Sequence, residues 1–278
     1  MPELVAGAAI ALSPRVTRVL APNPGFMTGP GTNSYLIGRG DLAVLDPGPA
    51  LSAHVEALLA AAAALGGRIR WIVLTHTHQD HAPAALELQR RTGAPILGQP
   101  PLAGDPAQAT LHVDQTLAHG ERLVADGFTL RALHTPGHVG NHLCYLLEDE
   151  QMLFSGDHLI NGSTVVIVPP SGNMADYIRS LELLSRETIH SIAPGHGDTI
   201  ANALALIQYT IHHRLAREAK VLSRLAPSSR AIAALTPLVY DDVSPSLHAV
   251  AQYSLHAHLI KLREEGKVVE DADGWRLA

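Results

Sequence analysis

The chain has 278 residues, of which 46% are hydrophobic and 17% charged, and its formal net charge is −6. This length allows one large domain, or one large and one small domain, with a core that needs no disulfide bonds. The single cysteine, Cys144, excludes a disulfide framework and a cysteine-rich zinc site. The acidic balance disfavours a protein that mainly binds polyanions, whereas 17 histidines make a histidine-based metal site the feature to look for.

The sequence contains no apolar run long enough to cross a membrane, which takes about 18 residues or more. The apolar stretch at 4–12 is short, and no lysine or arginine precedes it as in a signal peptide. We therefore expect a cytoplasmic protein that does not associate with a membrane.

Short apolar runs interrupted by glycine and proline predict β-strands over the first two thirds of the chain. The predicted strands are 34–38, 42–45, 70–74, 128–134, 152–154 and 189–192, and the predicted helices are 51–65 and 82–91. Several of these strands run into loops that carry histidine or aspartate. Such loops gather metal-ligating side chains along one edge of a sheet.

The pattern changes near residue 204, where a long amphipathic helix is predicted over 204–225. A further helix at 247–265 precedes a short strand pair at 267–269 and 275–277. Helices followed by a β-hairpin resemble a winged-helix module. We therefore predict a main domain over 1–210 and a C-terminal module over 211–278.

The densest group of metal-ligating side chains lies at 75–81, Thr-His-Thr-His-Gln-Asp-His. Its four potential ligands cannot all share one face of a helix or strand, but a tight loop can turn them toward a common point. They are His76, His78, Asp80 and His81.

Three later turns each carry one further candidate ligand. They are His138 after Pro136-Gly137, Asp157 after Ser155-Gly156, and His196 after Pro194-Gly195. Each turn is a weak signal by itself, and the ordered combination with the 75–81 segment is strong.

This order of motifs resembles the metallo-β-lactamase fold superfamily, over about residues 15–215. The resemblance implies an α/β protein with a four-layer αββα sandwich. The implied ligands are His76, His78 and His138 for one ion, Asp80, His81 and His196 for a second, and Asp157 as a bridge between the two.

Imidazole and carboxylate ligands without thiolate suit Zn²⁺, with Mn²⁺ and Fe²⁺ as alternatives. The resemblance therefore implies a site with two zinc ions and a bridging hydroxide that attacks the substrate. Asp80 would also act in catalysis, by orienting the attacking water or accepting its proton.

Further segments resemble the family of the mitochondrial lactamase-like endoribonuclease and the fungal polyketide acyl-carrier-protein thioesterases. They are Asn23-Pro24-Gly25, Met27-Thr28, Gly31-Thr32-Asn33, Asn141-His142, and Tyr209 with His213-Arg214. The winged-helix-like module is consistent with the same family. Among these residues, Asn33, His142, His213 and Arg214 are candidates for the pocket or for the support of the ligands, with turn, packing and helix-capping roles as alternatives.

The leading functional prediction is a metal-dependent hydrolase of a small acyl substrate, namely a thioester, a lactone or a lactam. The alternative is a metal-dependent phosphodiesterase or single-strand endoribonuclease. Nucleic acid is disfavoured because residues 231–278 carry four lysines and arginines against seven aspartates and glutamates. A single-iron dioxygenase need not fill the second-metal positions, which are all filled here, so it is less favoured. An inactive regulator should have lost at least one ligand, and none is missing here.

Loops at 22–33, 99–112 and 161–174 are expected to surround the cleft and to set substrate specificity. The stretch 161–173 predicts either a lid or a strand followed by a loop. A homodimer formed through the C-terminal helices is compatible with the sequence.

Overall fold

The computed structural model describes residues 4–103, 110–225 and 229–278, so part of the predicted 99–112 loop lies outside the described residues. The chain forms two compact units. Unit 1 contains the described residues up to Thr135 together with Asn141–Ser163 and Thr188–Ala203. Unit 2 contains Pro136–Gly140, Thr164–Glu187 and the described residues from Leu204 onward. The domain boundary at residue 210 stays a prediction.

The first sheet of unit 1 has its strands in chain order. They are β1 (Ala9–Ala11), β2 (Val16–Leu20), β3 (Asn33–Arg39), β4 (Asp41–Leu45), β5 (Arg68–Val73), β6 (Ile96–Gly98) and β7 (Gln115–Thr116). The pairs from β1 to β4 are antiparallel, and those from β4 to β7 are parallel. Parallel neighbours need crossover connections. Helices α1 (Ser52–Ala64) and α2 (Ala84–Thr92) supply two of them.

The second sheet of unit 1 has the strand order β12-β11-β10-β9-β8. Its strands are β8 (Arg122–Ala125), β9 (Phe128–His134), β10 (Leu143–Leu147), β11 (Met152–Gly156) and β12 (Ser191–Pro194). The two sheets share one buried core, in which the rings of Tyr35 and Phe154 lie 5.0 Å apart. Helices α1 and α2 cover the other face of the first sheet through a second apolar cluster that includes Leu58 and Leu88. Cys144 is fully buried in β10.

The parallel pairs bring the candidate ligand loops to the strand ends. β4 and β5 end just before Asp46 and the 75–81 segment, and β11 and β12 end just before Asp157 and His196. Two buried tyrosines tie the sheets together at these ends. The Tyr35 hydroxyl donates to the Pro194 carbonyl at 2.7 Å, and the Tyr145 hydroxyl donates to the Leu74 carbonyl at 2.9 Å.

Unit 2 is mainly helical. Its elements are α3 (Met174–Leu184), α4 (Ala203–Arg224), α5 (Ile232–Val239), α6 (His248–Glu264), β13 (Val268–Asp271) and β14 (Gly274–Leu277). An apolar cluster that includes Val221, Leu255 and Trp275 joins α4, α5, α6 and the hairpin. The described segment 161–173 contains no strand, so the strand interpretation of that stretch is wrong. None of the helices in the described residues is long and apolar enough to span a lipid bilayer.

Replacing Tyr145 by phenylalanine removes a buried donor from the Leu74 carbonyl, and we expect the free energy of unfolding to fall by about 1–2 kcal/mol. Tyr35→Phe is the matched control, because the Pro194 carbonyl keeps the Asn33 side-chain amide as a donor at 3.0 Å. The free energy of unfolding should therefore fall less in Tyr35→Phe than in Tyr145→Phe. Urea unfolding measures both values, and an equal or larger loss in Tyr35→Phe would contradict this account.

Candidate metal centre

Four side chains of unit 1 converge on one point. The candidate ligand atoms of Asp80, His81, Asp157 and His196 all lie within 4.8 Å of one another. The His196 Nε2 atom lies 3.2 Å from an Asp80 oxygen and 3.3 Å from an Asp157 oxygen. The His81 Nε2 atom lies 3.3 Å from the same Asp157 oxygen and 3.5 Å from Asp80. The geometry is that of two carboxylates facing two imidazole nitrogens.

The carboxylates control the protonation of the imidazoles. Burial by itself would lower the pKa of His81 and of His196, but the nearby Asp80 and Asp157 raise the first well above its ordinary value and the second to about 9. Burial would raise the pKa of Asp80, but His81 and His196 lower it to about 2, and the same two imidazoles lower that of Asp157. In the absence of metal, two protons therefore balance the two carboxylates of this group.

A divalent cation can take the place of those two protons. With neutral imidazoles the group carries the two negative charges of Asp80 and Asp157, which one divalent ion neutralises. Nitrogen and oxygen donors without thiolate suit Zn²⁺, Mn²⁺ and Fe²⁺. The four residues therefore fit a metal ion in both charge and donor chemistry.

Asp46, at the end of β4, fixes the orientation of His81. Its Oδ2 accepts a hydrogen bond from His81 Nδ1 at 2.9 Å, which leaves Nε2 facing Asp80 and Asp157. Both residues are fully buried. A carboxylate behind a histidine in this way sets the tautomer and ring direction needed for metal binding.

The same carboxylate reaches the first histidine of the motif through Thr75. Asp46 accepts from the Thr75 backbone N–H and hydroxyl, both at 2.7 Å, so the hydroxyl oxygen is free to accept from His76 Nδ1 at 3.0 Å. The Nε2 of His76 then lies 3.0 Å from Nδ1 of His78. Asp46 was not singled out from the sequence. The sequence feature that could have indicated its role is an aspartate directly after a buried strand.

His138 lies in the 136–140 segment, which belongs to unit 2 and connects two points of unit 1. Both ends of this segment are close together, since the Thr135 N–H donates to the His142 carbonyl at 3.0 Å. The Nδ1 of His138 donates to the Val166 carbonyl at 2.9 Å, which leaves Nε2 as the candidate ligand atom. The assignment of His138 as a metal ligand stays a prediction.

The turn that carries His196 is held from β3. Asn33 is fully buried, and its side-chain amide donates to the carbonyls of Pro194 and Gly197 at 3.0 and 2.7 Å. His196 Nδ1 donates to the Gly31 carbonyl at 3.1 Å, which directs Nε2 into the group. Asn33, a candidate at the edge of the site, is thus placed where it orients the His196 turn.

Two glycines allow the ligands to approach so closely. A Cβ atom on Gly195 would lie 2.7 Å from both an Asp157 oxygen and the His81 ring. Gly156 has a φ of +46°, and its Cβ atom would lie 2.5 Å from the Thr75 hydroxyl and 2.8 Å from His142 Nε2. Side chains at these positions would displace the ligands.

The remaining candidates fall in different places. His142 is fully buried behind the motif, with its ring 5.2 Å from that of His76 and its Nδ1 3.0 Å from the Thr135 hydroxyl. His213 and Arg214 lie on α4 in unit 2. His213 is half-buried, whereas Arg214 is buried and donates to the Val165 carbonyl at 2.5 Å. Their predicted pocket roles stay predictions.

Comparisons with known proteins agree with this fold. Residues 27–201 match the profile of the Metallo-beta-lactamase superfamily, and residues 231–275 match the Beta-lactamase associated winged helix domain. A Beta-lactamase-like protein 2 homolog from Drosophila melanogaster is 32% identical over 279 residues, which cover 92% of this chain and 90% of the relative. An atrochrysone carboxyl ACP thioesterase from Aspergillus chevalieri is 31% identical over 274 residues, which cover 95% and 85%.

The fold is also seen in solved structures. A metallo-beta-lactamase family protein from Thermus thermophilus superposes with a TM-score of 0.80 at 24% identity, covering 96% of this chain and 100% of the other. The chain therefore belongs to the metallo-β-lactamase superfamily. The expected α/β fold, the C-terminal winged helix and the hydrolase class are confirmed.

Metal binding should release protons from the four-residue group. At pH 7 the raised pKa values keep His81 and His196 protonated in the metal-free protein, and a metal ion must displace both protons, so we expect release of about two protons at this group. As pH rises through about 9, His196 loses its proton beforehand, so proton release falls and apparent affinity rises. Titration calorimetry in buffers of different ionisation enthalpy measures this. Binding without proton release at pH 7 would contradict it.

Asp46→Asn tests the orienting carboxylate. The backbone φ of Asp46 is +49°, which asparagine tolerates. The asparagine amide nitrogen would replace either the oxygen that accepts from the Thr75 N–H or the one that accepts from His81 Nδ1, so one of these hydrogen bonds is lost. Because the orientation of His81 depends on this side chain, we expect metal affinity to fall by about 10–100-fold. Competition with a chromophoric chelator measures the change. Asp41→Asn, a partly exposed carboxylate at the start of β4, is the control and should bind as wild type.

Proposed function

We propose that the protein is a dinuclear zinc hydrolase that cleaves a small acyl substrate, with a thioester as the first candidate and lactones and lactams as related bonds. The observation that carries this proposal is the group of Asp80, His81, Asp157 and His196, whose charge matches a divalent ion. Mn²⁺ and Fe²⁺ are the alternative ions for the same donors.

The proposed ligand set extends this group to two ions. It consists of His76, His78 and His138 for the first ion, Asp80, His81 and His196 for the second, and Asp157 as the bridge. Such a pair of ions, when bound, lowers the pKa of a water molecule and withdraws electron density from a carbonyl group.

The chain's own residues supply positioning and charge. We assign Asp80 the task of orienting the attacking water, because its carboxylate is partly exposed and keeps a low pKa. Asp46 keeps the imidazoles of His76 and His81 in the ligating tautomer. Asn33 holds the turn that presents His196.

The preference for an acyl substrate has two supports. The Aspergillus relative, which aligns with 95% of this chain, is named as an acyl-carrier-protein thioesterase.

In addition, the cationic side chains of residues 231–278 already have carboxylate partners. Lys261 pairs with Glu218, Arg263 with Glu270, Lys267 with Glu265 and Arg276 with Asp271. Phosphate binding depends on lysines and arginines that are available to the backbone of the nucleic acid. The cytoplasmic location and the homodimer stay predictions.

The test combines metal content with a substrate panel. Plasma mass spectrometry should find about two zinc ions per chain in wild type, as a two-metal site requires. Hydrolysis is then measured with a thioester, a lactone, nitrocefin, bis-p-nitrophenyl phosphate and single-stranded RNA. In Asp80→Ala we expect acyl hydrolysis to fall by about 10²–10⁴-fold, the usual range for loss of a positioned acid or base.

Gln79→Ala, the exposed neighbour in the same loop, is the control and should retain wild-type activity. Asp80-dependent cleavage of RNA without acyl hydrolysis would replace the acyl proposal with the endoribonuclease. Protein without bound metal, or full activity in Asp80→Ala, would overturn the proposed mechanism.

A further inference from the structure

Residues 165–167 of unit 2 form a short segment outside any helix or strand. Side chains from three other parts of unit 2 satisfy its backbone polar groups. Arg214 on α4 donates to the Val165 carbonyl at 2.5 Å, His138 donates to the Val166 carbonyl at 2.9 Å, and the Ile167 N–H donates to the Ser254 hydroxyl on α6 at 3.3 Å. Buried backbone groups without such partners are costly. The position of this segment therefore depends on Arg214 and Ser254.

Both anchoring side chains are themselves fixed by burial. Arg214 is 3% exposed, and its guanidinium lies 5.2 Å from the centre of the Tyr177 ring. Ser254 is 6% exposed and belongs to the part of the chain that matches the winged-helix profile. The side chains of Val165 and Ile167 are also buried, so the segment has little freedom to move.

The backbone around His138 is held separately. The Ser180 hydroxyl on α3 donates to the Pro136 carbonyl at 2.7 Å, and the Asn173 N–H donates to the Gly137 carbonyl at 2.8 Å. A Cβ atom on Gly137 would lie 2.4 Å from the Tyr177 Cα, so the loop packs directly on α3. With the backbone held in this way, the bond from Nδ1 to the Val166 carbonyl sets the direction of the His138 ring.

We propose that Arg214 and Ser254 are positioning residues for one metal ion, because they hold the two residues on either side of Val166, whose carbonyl orients the His138 imidazole. This inference rests on the proposed function, since it takes His138 as a ligand. In this account the C-terminal winged helix contributes to metal binding, because Ser254 on α6 fixes the segment whose Val166 carbonyl accepts the hydrogen bond from His138.

The experiment removes each anchor in the full-length protein. Arg214→Met and Ser254→Ala delete the two hydrogen bonds to the 165–167 segment and keep most of the buried volume. Arg217→Met is the matched control for the first, because Arg217 lies on the same helix with 6% exposure and binds the Val239 carbonyl and Asp242 instead. Thr236→Val is the control for the second, because its hydroxyl donates to the Ile232 carbonyl of its own helix.

The first readout is zinc affinity, resolved into two binding steps by competition with a chelator. In each anchor variant we expect one step to weaken by about tenfold, as for the loss of a group that orients a ligand, while the other step is unchanged. The controls should show both steps as in wild type. Ser254→Thr keeps the hydroxyl and should restore the weakened step.

The second readout is the ring nitrogen spectrum of the metal-loaded protein, with His138→Ala identifying the signal. Wild type should show a protected Nδ1–H for His138, and the anchor variants should show faster exchange of that proton with water. Thermal unfolding by circular dichroism checks that each variant is folded.

Three results would overturn the inference. Unchanged affinity and exchange in Arg214→Met and Ser254→Ala, while His138→Ala weakens one step, would remove the inference and leave the proposed ligand set intact. Equal weakening in Arg217→Met would mean that the effect is general loss of stability. No change in metal binding in His138→Ala would remove His138 from the proposed ligand set, and the inference with it.

Discussion

A hydrogen-bonded carboxylate at the end of β4, Asp46, determines how the candidate metal centre is built. It is 1% exposed and receives three hydrogen bonds, from the Thr75 N–H, the Thr75 hydroxyl and His81 Nδ1. Through Thr75 it also directs His76. A buried carboxylate is stable only when its oxygens accept hydrogen bonds. Thr75 and His81 donate these bonds to Asp46, and Asp46 in turn fixes the orientation of both residues. One side chain thus orients an imidazole at each end of the 75–81 segment.

The two parts of the proposed centre differ in charge, and that difference follows from their neighbours. Burial and the adjacent His81 and His78 lower the pKa of His76 well below its ordinary value, so this ring is neutral without help from a metal. His81 and His196, which face two carboxylates, have raised pKa values. A metal ion must therefore displace protons from His81 and His196, whereas it meets His76 already neutral. The two proposed binding steps should therefore differ in their dependence on pH.

The sequence predicted much of the fold because strands such as β5 and β9 alternate polar and apolar residues along part of their length. It did not predict β10, whose residues Leu143–Leu147 are apolar throughout and carry no alternation. The 75–81 motif and the three later turns were visible as patterns of residue types. Asp46 was not, because its role depends on a partner 35 residues away in the chain. Arg214 was a candidate only through the family resemblance, and its contact with Val165, 49 residues away, could not be predicted. Local patterns cannot show which distant carbonyl or imidazole a buried side chain meets.

The glycines at 156 and 195 lower the stability of the metal-free protein, and bound ions can offset this loss. Glycine loses more conformational entropy on folding than any other residue, so the turns that admit the ligands so closely weaken the folded state. An ion that binds only the native chain returns stability, by about 2.7 kcal/mol when its free concentration is a hundred times its dissociation constant. With the proposed ions bound, the unfolded fraction that proteases remove becomes smaller. The supply of the proposed ions would then set how much of the protein persists as well as how fast each molecule works.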